Sequence, residues 1–251
     1  MTTTSALVRV GHEGPVTTVT FAAPDRANAL TFAAMQQFIA GLRAAHQQKS
    51  LLLVIRAEGE DFCVGRDQKE RVPGVTRARS LGLILEANEL LRGFPGISVS
   101  VIRGRALGFG SGVAVQSDLS IAADTATLGF DEIRHGLAPL VVAEYLPGLV
   151  GHRATADLIY TGRLLPADEA LRIGLVSRVV PEAVLDDEAQ RLCDGLAASE
   201  HGALRLMKSY SARLRAGAID EPQAAAIAEL DAWLTDGRPE HPDIPVHAPV
   251  G

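Results

Sequence analysis

The chain has 251 residues, 47% of them hydrophobic and only 4% aromatic, which suits one large domain with an aliphatic core. A net charge of -6 excludes a nucleic-acid surface, which needs clustered Lys and Arg with stacking aromatics. Cys63 and Cys193 stand alone and far apart, which excludes a disulfide framework or a metal-ligand spacing and points to a reduced, cytoplasmic setting. The first residues lack the basic stretch and long apolar run of a signal peptide, and no apolar run reaches the ~18 residues of a membrane span.

In chain order, residues 7–10 and 16–21 read as a hairpin across 11–15. Pro24-Asp25-Arg26 marks a turn. Thr31 is placed to cap a helix whose Met35, Phe38, Ile39, Leu42 and Ala45 share one face. The apolar run 51–55 predicts a strand covered on both faces. Residues 61–76 are polar, carry Gly65, Pro73 and Gly74, and read as a long loop. A helix over 78–92 is expected to turn Leu81, Ile84, Leu85 and Leu91 inward, and residues 97–102 form the next buried strand. That strand runs into Gly104, Gly108, Gly110 and Gly112, followed by an apolar helical pattern. Beyond Pro139 helices are expected over 140–149, 152–160 and 167–173, with a short strand over 176–180. Further helices cover 182–198, 201–216 and 222–235, and the Pro-rich last dozen residues are irregular. The alternation of strand and helix from 16 to about 123 argues for a layered α/β core. A division is expected between a core over 1–195 and a helical region with an irregular tail over 196–251.

Glycines packed this densely let a backbone approach a ligand and aim its N–H groups outward. The carboxylates Asp131 and Glu132 follow, so donors for an oxyanion stand close in sequence to a group that can move a proton. The glycine spacing is neither a dinucleotide fingerprint nor a phosphate loop. The loop 61–70 leaves the end of a buried strand, where α/β proteins place ligands.

Together these segments resemble the crotonase, or enoyl-CoA hydratase/isomerase, superfamily over residues 8 to about 215. Pro24-Asp-Arg-Ala-Asn-Ala-Leu30 is similar to the family's Arg-Pro-x-x-x-Asn-Ala-Leu, and Phe62-Cys-Val-Gly-Arg-Asp67 to its Phe-Cys-Ala-Gly-Ala-Asp. Gly104-Arg-Ala-Leu-Gly-Phe-Gly-Ser-Gly112 matches Gly-x-Ala-x-Gly-Gly-Gly-x-Glu except at its last position. Leu128-Gly-Phe-Asp-Glu-Ile133, the stretch 160–170 and the stretch 174–181 continue the match in order. The resemblance implies a spiral of ββα units with a helical C-terminal trimerisation region, assembled as a homotrimer or a dimer of trimers. It implies an acyl-CoA substrate, coenzyme A being part of that substrate and no separate cofactor being needed.

By the same resemblance, the backbone N–H groups of Arg66 and Phe109 form the oxyanion hole, each donor worth about 3–4 kcal/mol. The family prefers small residues at both places, so these side chains are expected to narrow the pocket or touch the ligand. Asp25, Arg26 and Ala27 match the loop that meets the coenzyme's phosphates, with Arg26 the favoured cation. Val64 matches a position beside the adenine, and Gly65 and Gly108 line the site. Glu132 matches the second of a hydratase's two glutamates, while Gly112 stands where the first belongs. A single carboxylate suits double-bond isomerisation better than hydration. The alternatives are a hydratase using another acid, a 3-oxoacyl or cyclic C–C hydrolase, and a non-catalytic acyl-CoA binder. His135, Glu144 and Tyr145 are placed to border the acyl pocket. Asp67 and Asp118 are expected to be structural, Cys63 a small core residue, and Lys208 and Arg213 exposed.

Overall fold

The computed structural model describes residues 6–242. Strand β1 (Val8–Glu13) pairs antiparallel with β2 (Val16–Phe21) in the register Val8↔Phe21 to Glu13↔Val16. The hairpin therefore turns at Gly14 and Pro15, not across 11–15: Gly11 stays in the strand, and Gly14 takes the positive φ of 53° that the turn needs. Thr31 caps α1 (Phe32–Gln47) through its Oγ1, which accepts from the Ala34 N–H at 3.1 Å. The five apolar residues read from the sequence are buried on one face of this helix. Strand β3 (Leu52–Ala57) adds parallel to β2, as its unbroken apolar run requires.

Helix α2 (Arg77–Arg92) leads to β4 (Ile97–Ile102), then β5 (Arg105–Leu107) and α3 (Phe109–Gln116). Leu81 and Leu85 of α2 face out, at 50% and 51% exposure, contrary to the sequence reading. Ile84 packs partly buried against the core as expected, and full burial in α2 is confined to Ala87, Asn88 and Leu91 in its second half. Strand β6 (Leu119–Ala123) is followed by β7 (Thr127–Gly129) and a 3-10 turn at Glu132–His135. Next come α4 (Leu140–Tyr145) and α5 (Pro147–Thr161), the latter bent at Gly151. The remaining elements are β8 (Leu164–Pro166), α6 (Ala167–Arg172), β9 (Arg178–Val180), α7 (Leu185–Ala197), α8 (His201–Arg215) and α9 (Pro222–Thr235). The last of the expected irregular residues lie outside the described ones.

Six strands form the main sheet in the order β1-β2-β3-β4-β6-β9, parallel from β2 onward, and β5-β7-β8 form a small second sheet. The small sheet is absent from the sequence reading because strands of three residues carry no usable alternation. Its function is to hold the glycine turn. Residues 62 and 63 run beside β5, with Phe62 N–H donating to Arg103 O at 2.9 Å, Cys63 N–H to Arg105 O at 3.0 Å and Leu107 N–H to Cys63 O at 2.9 Å.

Lys208 and Arg213 are not exposed; their side chains retain 8% and 11% accessibility. Lys208 reaches down from α8 to pair with Asp118, which also accepts from the Ser98 N–H and hydroxyl at 2.8 Å each. Burial lowers the Lys208 pKa, while the carboxylate opposes that shift.

Gly110 allows a close approach of α3 to the 62–63 segment: a Cβ there would lie 2.1 Å from the Cys63 carbonyl oxygen. Gly110→Ala should therefore push the two loops apart and lower the unfolding free energy by about 1–3 kcal/mol, the usual range for overpacking. Chemical denaturation measures this, and an unchanged midpoint would contradict the contact.

Candidate active site

Two chain segments build the site. The first is residues 62–67. Leu30 N–H donates to Gly65 O at 2.8 Å and Asp67 N–H donates to Leu30 O at 3.0 Å. This pattern brackets Arg66 and turns its own N–H away from Leu30. The second is the turn at Gly108, which has φ 52° and opens α3 at Phe109. Phe109 is the first residue of the helix, so its N–H has no carbonyl a turn behind it. Among the described residues neither the Arg66 nor the Phe109 N–H donates a hydrogen bond. A Cβ on Gly65 would lie 3.0 Å from Leu107 O and 3.6 Å from Phe109 N, so the two turns touch. Both free donors thus occupy one locality, reinforced by the positive end of α3.

The side chains of these two residues lead elsewhere. The Phe109 ring is buried against Phe38, edge to face at 6.2 Å, and does not narrow a ligand site. The Arg66 guanidinium donates to Ser80 Oγ at 2.6 Å, and its Nε has no partner among the described residues. Burial lowers the Arg66 pKa, opposed by the nearby Glu70.

Glu132 begins the 3-10 turn after β7. A Cβ on Gly108 would lie 3.2 Å from its Oε1, so the carboxyl rests on the same turn that frees the Phe109 amide. Its Oε2 is buried with no partner among the described residues. Burial raises its pKa above the usual 4.5, the residue's own backbone opposes the shift, and Asp131 adds to it. Asp131 faces His135 at 3.1 Å, and His135 is itself exposed. Glu144 turns outward to Arg92 at 3.3 Å. Tyr145 does enter the site. A Cβ on Gly112 would lie 2.9 Å from its hydroxyl oxygen, which has no hydrogen-bond partner among the described residues.

Arg26 pairs with Asp67 at 2.7 Å on the surface instead of standing free, and Asp67 also accepts from the Lys69 and Glu70 N–H groups. Ala27 O accepts from Val64 N–H at 3.2 Å, so Asp25, Arg26, Ala27 and Val64 border one stretch of surface. Asn28 is the residue whose part the sequence reading missed. Fully buried with φ 54°, it accepts from Ala23 N–H and donates to Glu58 O and Asp61 O at 2.7–2.9 Å. It fastens this loop to the one that carries Arg66. An Asn between two alanines in a turn is the signal that could have shown it. Ser111 does the same inside α3, donating to Ala106 O at 2.6 Å and accepting from Gly129 N–H at 2.9 Å. Burial pushes the Cys63 thiol up to about 12, as suits an inert core residue. Among the described residues no His, Cys, Asp and Glu side chains cluster as metal ligands, and no helix is long and apolar enough to cross a membrane.

A family model described as enoyl-CoA hydratase/isomerase matches residues 11–230. A Thermus thermophilus protein named "Putative enoyl-CoA hydratase" is 31% identical over 190 residues, covering 73% of this chain and 74% of that one. Two solved Thermobifida fusca structures, each titled a "putative enoyl-CoA hydratase", share the fold. One, in complex with CoA, is 30% identical, covers 90% of this chain and 95% of that chain, and has a TM-score of 0.77. The other, in complex with acetoacetyl-CoA, is 28% identical, covers 93% and 96%, and has a TM-score of 0.81. The chain belongs to the enoyl-CoA hydratase/isomerase family.

The raised Glu132 pKa has a consequence for stability. The folded state holds this proton more tightly than the unfolded chain does. Its contribution is therefore fully present below pH 4.5 and is lost as pH rises through the higher folded value. Glu132→Gln should be more stable relative to the parent at pH 8 than at pH 4.5, by about 1.4 kcal/mol for each tenfold difference in proton affinity. Urea denaturation at the two pH values checks this; an equal difference at both would contradict the burial of an ionisable carboxyl.

Proposed function

We propose that this protein acts on an acyl-CoA thioester through an enolate. The thioester oxygen lies between the Arg66 and Phe109 N–H groups, and Glu132 moves the proton. The observation that carries this reading is the buried, unpartnered Glu132 oxygen on the same glycine turn that leaves the Phe109 amide unbonded. Deprotonation beside the carbonyl puts negative charge on the thioester oxygen, where two preorganised donors and the start of α3 favour it. A carboxyl with a raised pKa is a stronger base when ionised, and its protonated form persists to higher pH, so it can take a proton and later give it back.

Double-bond migration is favoured over water addition. Glu132 can take a proton from one carbon and deliver it to another without a second acid, and Gly112 supplies none. The surface bordered by Asp25, Arg26, Ala27, Val64, Gly65 and Gly108 is the proposed seat of the coenzyme. Arg26 offers the phosphates a guanidinium already steadied by Asp67. The relatives crystallised with CoA and acetoacetyl-CoA support a thioester ligand of this kind. Assembly as a homotrimer or a dimer of trimers belongs to the same proposal.

A panel of 2-enoyl and 3-enoyl CoA thioesters, followed for both water addition and double-bond migration, tests the reaction. Migration is expected, and Glu132→Gln should slow it by about 10²–10⁴-fold, the usual share of a general acid–base group, with the thioester dissociation constant unchanged. Hydration without migration, or full turnover by Glu132→Gln, would overturn the reading.

A further inference from the structure

The peptide that carries the Arg66 N–H starts from a pliable residue. Gly65 has φ 87°, a conformation that glycine takes freely and other residues rarely do. One hydrogen bond holds that peptide directly, from Leu30 N–H to Gly65 O at 2.8 Å. The Gly65 carbonyl and the Arg66 N–H lie in one plane, so a rotation about the Leu30 contact re-aims the donor. Downstream, Gln68 and Lys69 are exposed. A second anchor on another element is needed, and the Arg66 side chain supplies it.

The Arg66 guanidinium donates to Ser80 Oγ at 2.6 Å, its one side-chain hydrogen bond among the described residues. Its Nε is buried and has no partner among them. The charge that opposes this burial is Glu70, whose own Oε2 accepts the Phe32 N–H at 2.6 Å, at the first residue of α1. Segment 66–70 is thus tied to the front of α2 at one end and to the front of α1 at the other. The front of α2 is otherwise lightly held. No residue from 77 to 84 is fully buried, and Leu83 and Ile84 pack only partly against the core. Thr76 Oγ1 accepts from the Arg79 N–H, which closes the helix on itself. Among the described residues, the Arg66–Ser80 bond is the one side-chain hydrogen bond from 77–84 to another element. A half-buried guanidinium with an unanswered Nε–H is a destabilising choice for a mere tether.

Resting on the acyl-CoA reading above, we infer that Ser80 is a positioning residue: by holding the Arg66 guanidinium it fixes the direction of the Arg66 N–H, and so sets how strongly the thioester carbonyl is polarised. Ser80 itself touches no substrate. Its effect passes through Arg66, because a hydrogen-bond donor weakens steeply as its angle to the acceptor departs from linear.

Infrared difference spectra of bound butyryl-CoA, labelled with carbon-13 at the thioester carbonyl, read that polarisation directly, alongside turnover and the thioester dissociation constant. Binding to the parent should move the carbonyl band to lower frequency. Ser80→Ala should lose about half of that shift and slow turnover about tenfold, a part of what a whole oxyanion donor supplies, with the dissociation constant within about twofold. Ser80→Thr, which keeps the hydroxyl, should restore both. In an Arg66→Ala background Ser80→Ala should add nothing, since its action runs through the guanidinium. Three results would each overturn the assignment. One is an unchanged band and turnover in Ser80→Ala. Another is a full Ser80→Ala effect in the Arg66→Ala background. The third is a lower denaturation midpoint and weaker binding with the parent's band retained, which would make Ser80 a structural residue alone. A parent that binds the thioester without moving its band would instead remove the oxyanion reading, and this inference with it.

Discussion

The site depends on the contact between the Cys63 carbonyl and Gly110. Residues 62–63 join Arg103 and β5 through three backbone hydrogen bonds, and Gly110 lets α3 lie directly over the Cys63 carbonyl. Any side chain at 110 would separate the segments. Pressed together, each turn leaves one N–H out of the ladder, at Arg66 and at Phe109. An unpaired buried donor costs about 1–3 kcal/mol. The surrounding structure offsets this through the parallel sheet beneath, the Asn28 clamp on three carbonyl and amide groups, and the Ser111 tie between Ala106 and Gly129. Strain kept at a site and supported elsewhere is the usual condition for preorganised donors.

The electrostatics are of one kind. The start of α3 supplies fixed positive character, and Glu132 supplies the one buried carboxyl oxygen left without a partner among the described residues. Burial works against the charge on Glu132, and Asp131 reinforces that effect. The other charged groups nearby are paired outward: His135 with Asp131, Glu144 with Arg92, and Arg26 with Asp67. In the reaction proposed above, a single buried carboxyl suits proton movement between carbons better than the splitting of water.

Much of this was readable from the sequence where the signal is local. Thr31 and the buried face of α1 follow from capping and a 3.6-residue period, and β3 and β4 from unbroken apolar runs. The glycine density is legible in itself, and Glu132 is marked by the order of motifs that resembles the family. What was missed depends on partners distant in sequence. Lys208 looked exposed because Asp118 lies 90 positions away, and Arg26 looked free because Asp67 lies 41 away. Leu81 and Leu85 have the spacing of an inward face, but periodicity says nothing of how far the neighbouring layer extends. The turn of the Phe109 ring into the core, against Phe38, is equally invisible in sequence, since the motif specifies only its backbone.

The central claim is that two main-chain donors converge on one thioester oxygen, with Glu132 opposite. A crystal structure with a bound, unreactive acyl-CoA thioester tests it most directly. The account places the thioester oxygen about 2.7–3.1 Å from the amide nitrogens of both Arg66 and Phe109, with the Glu132 carboxyl beside the adjacent carbon. A thioester oxygen bound elsewhere, or either amide engaged by another protein group in that complex, would contradict it.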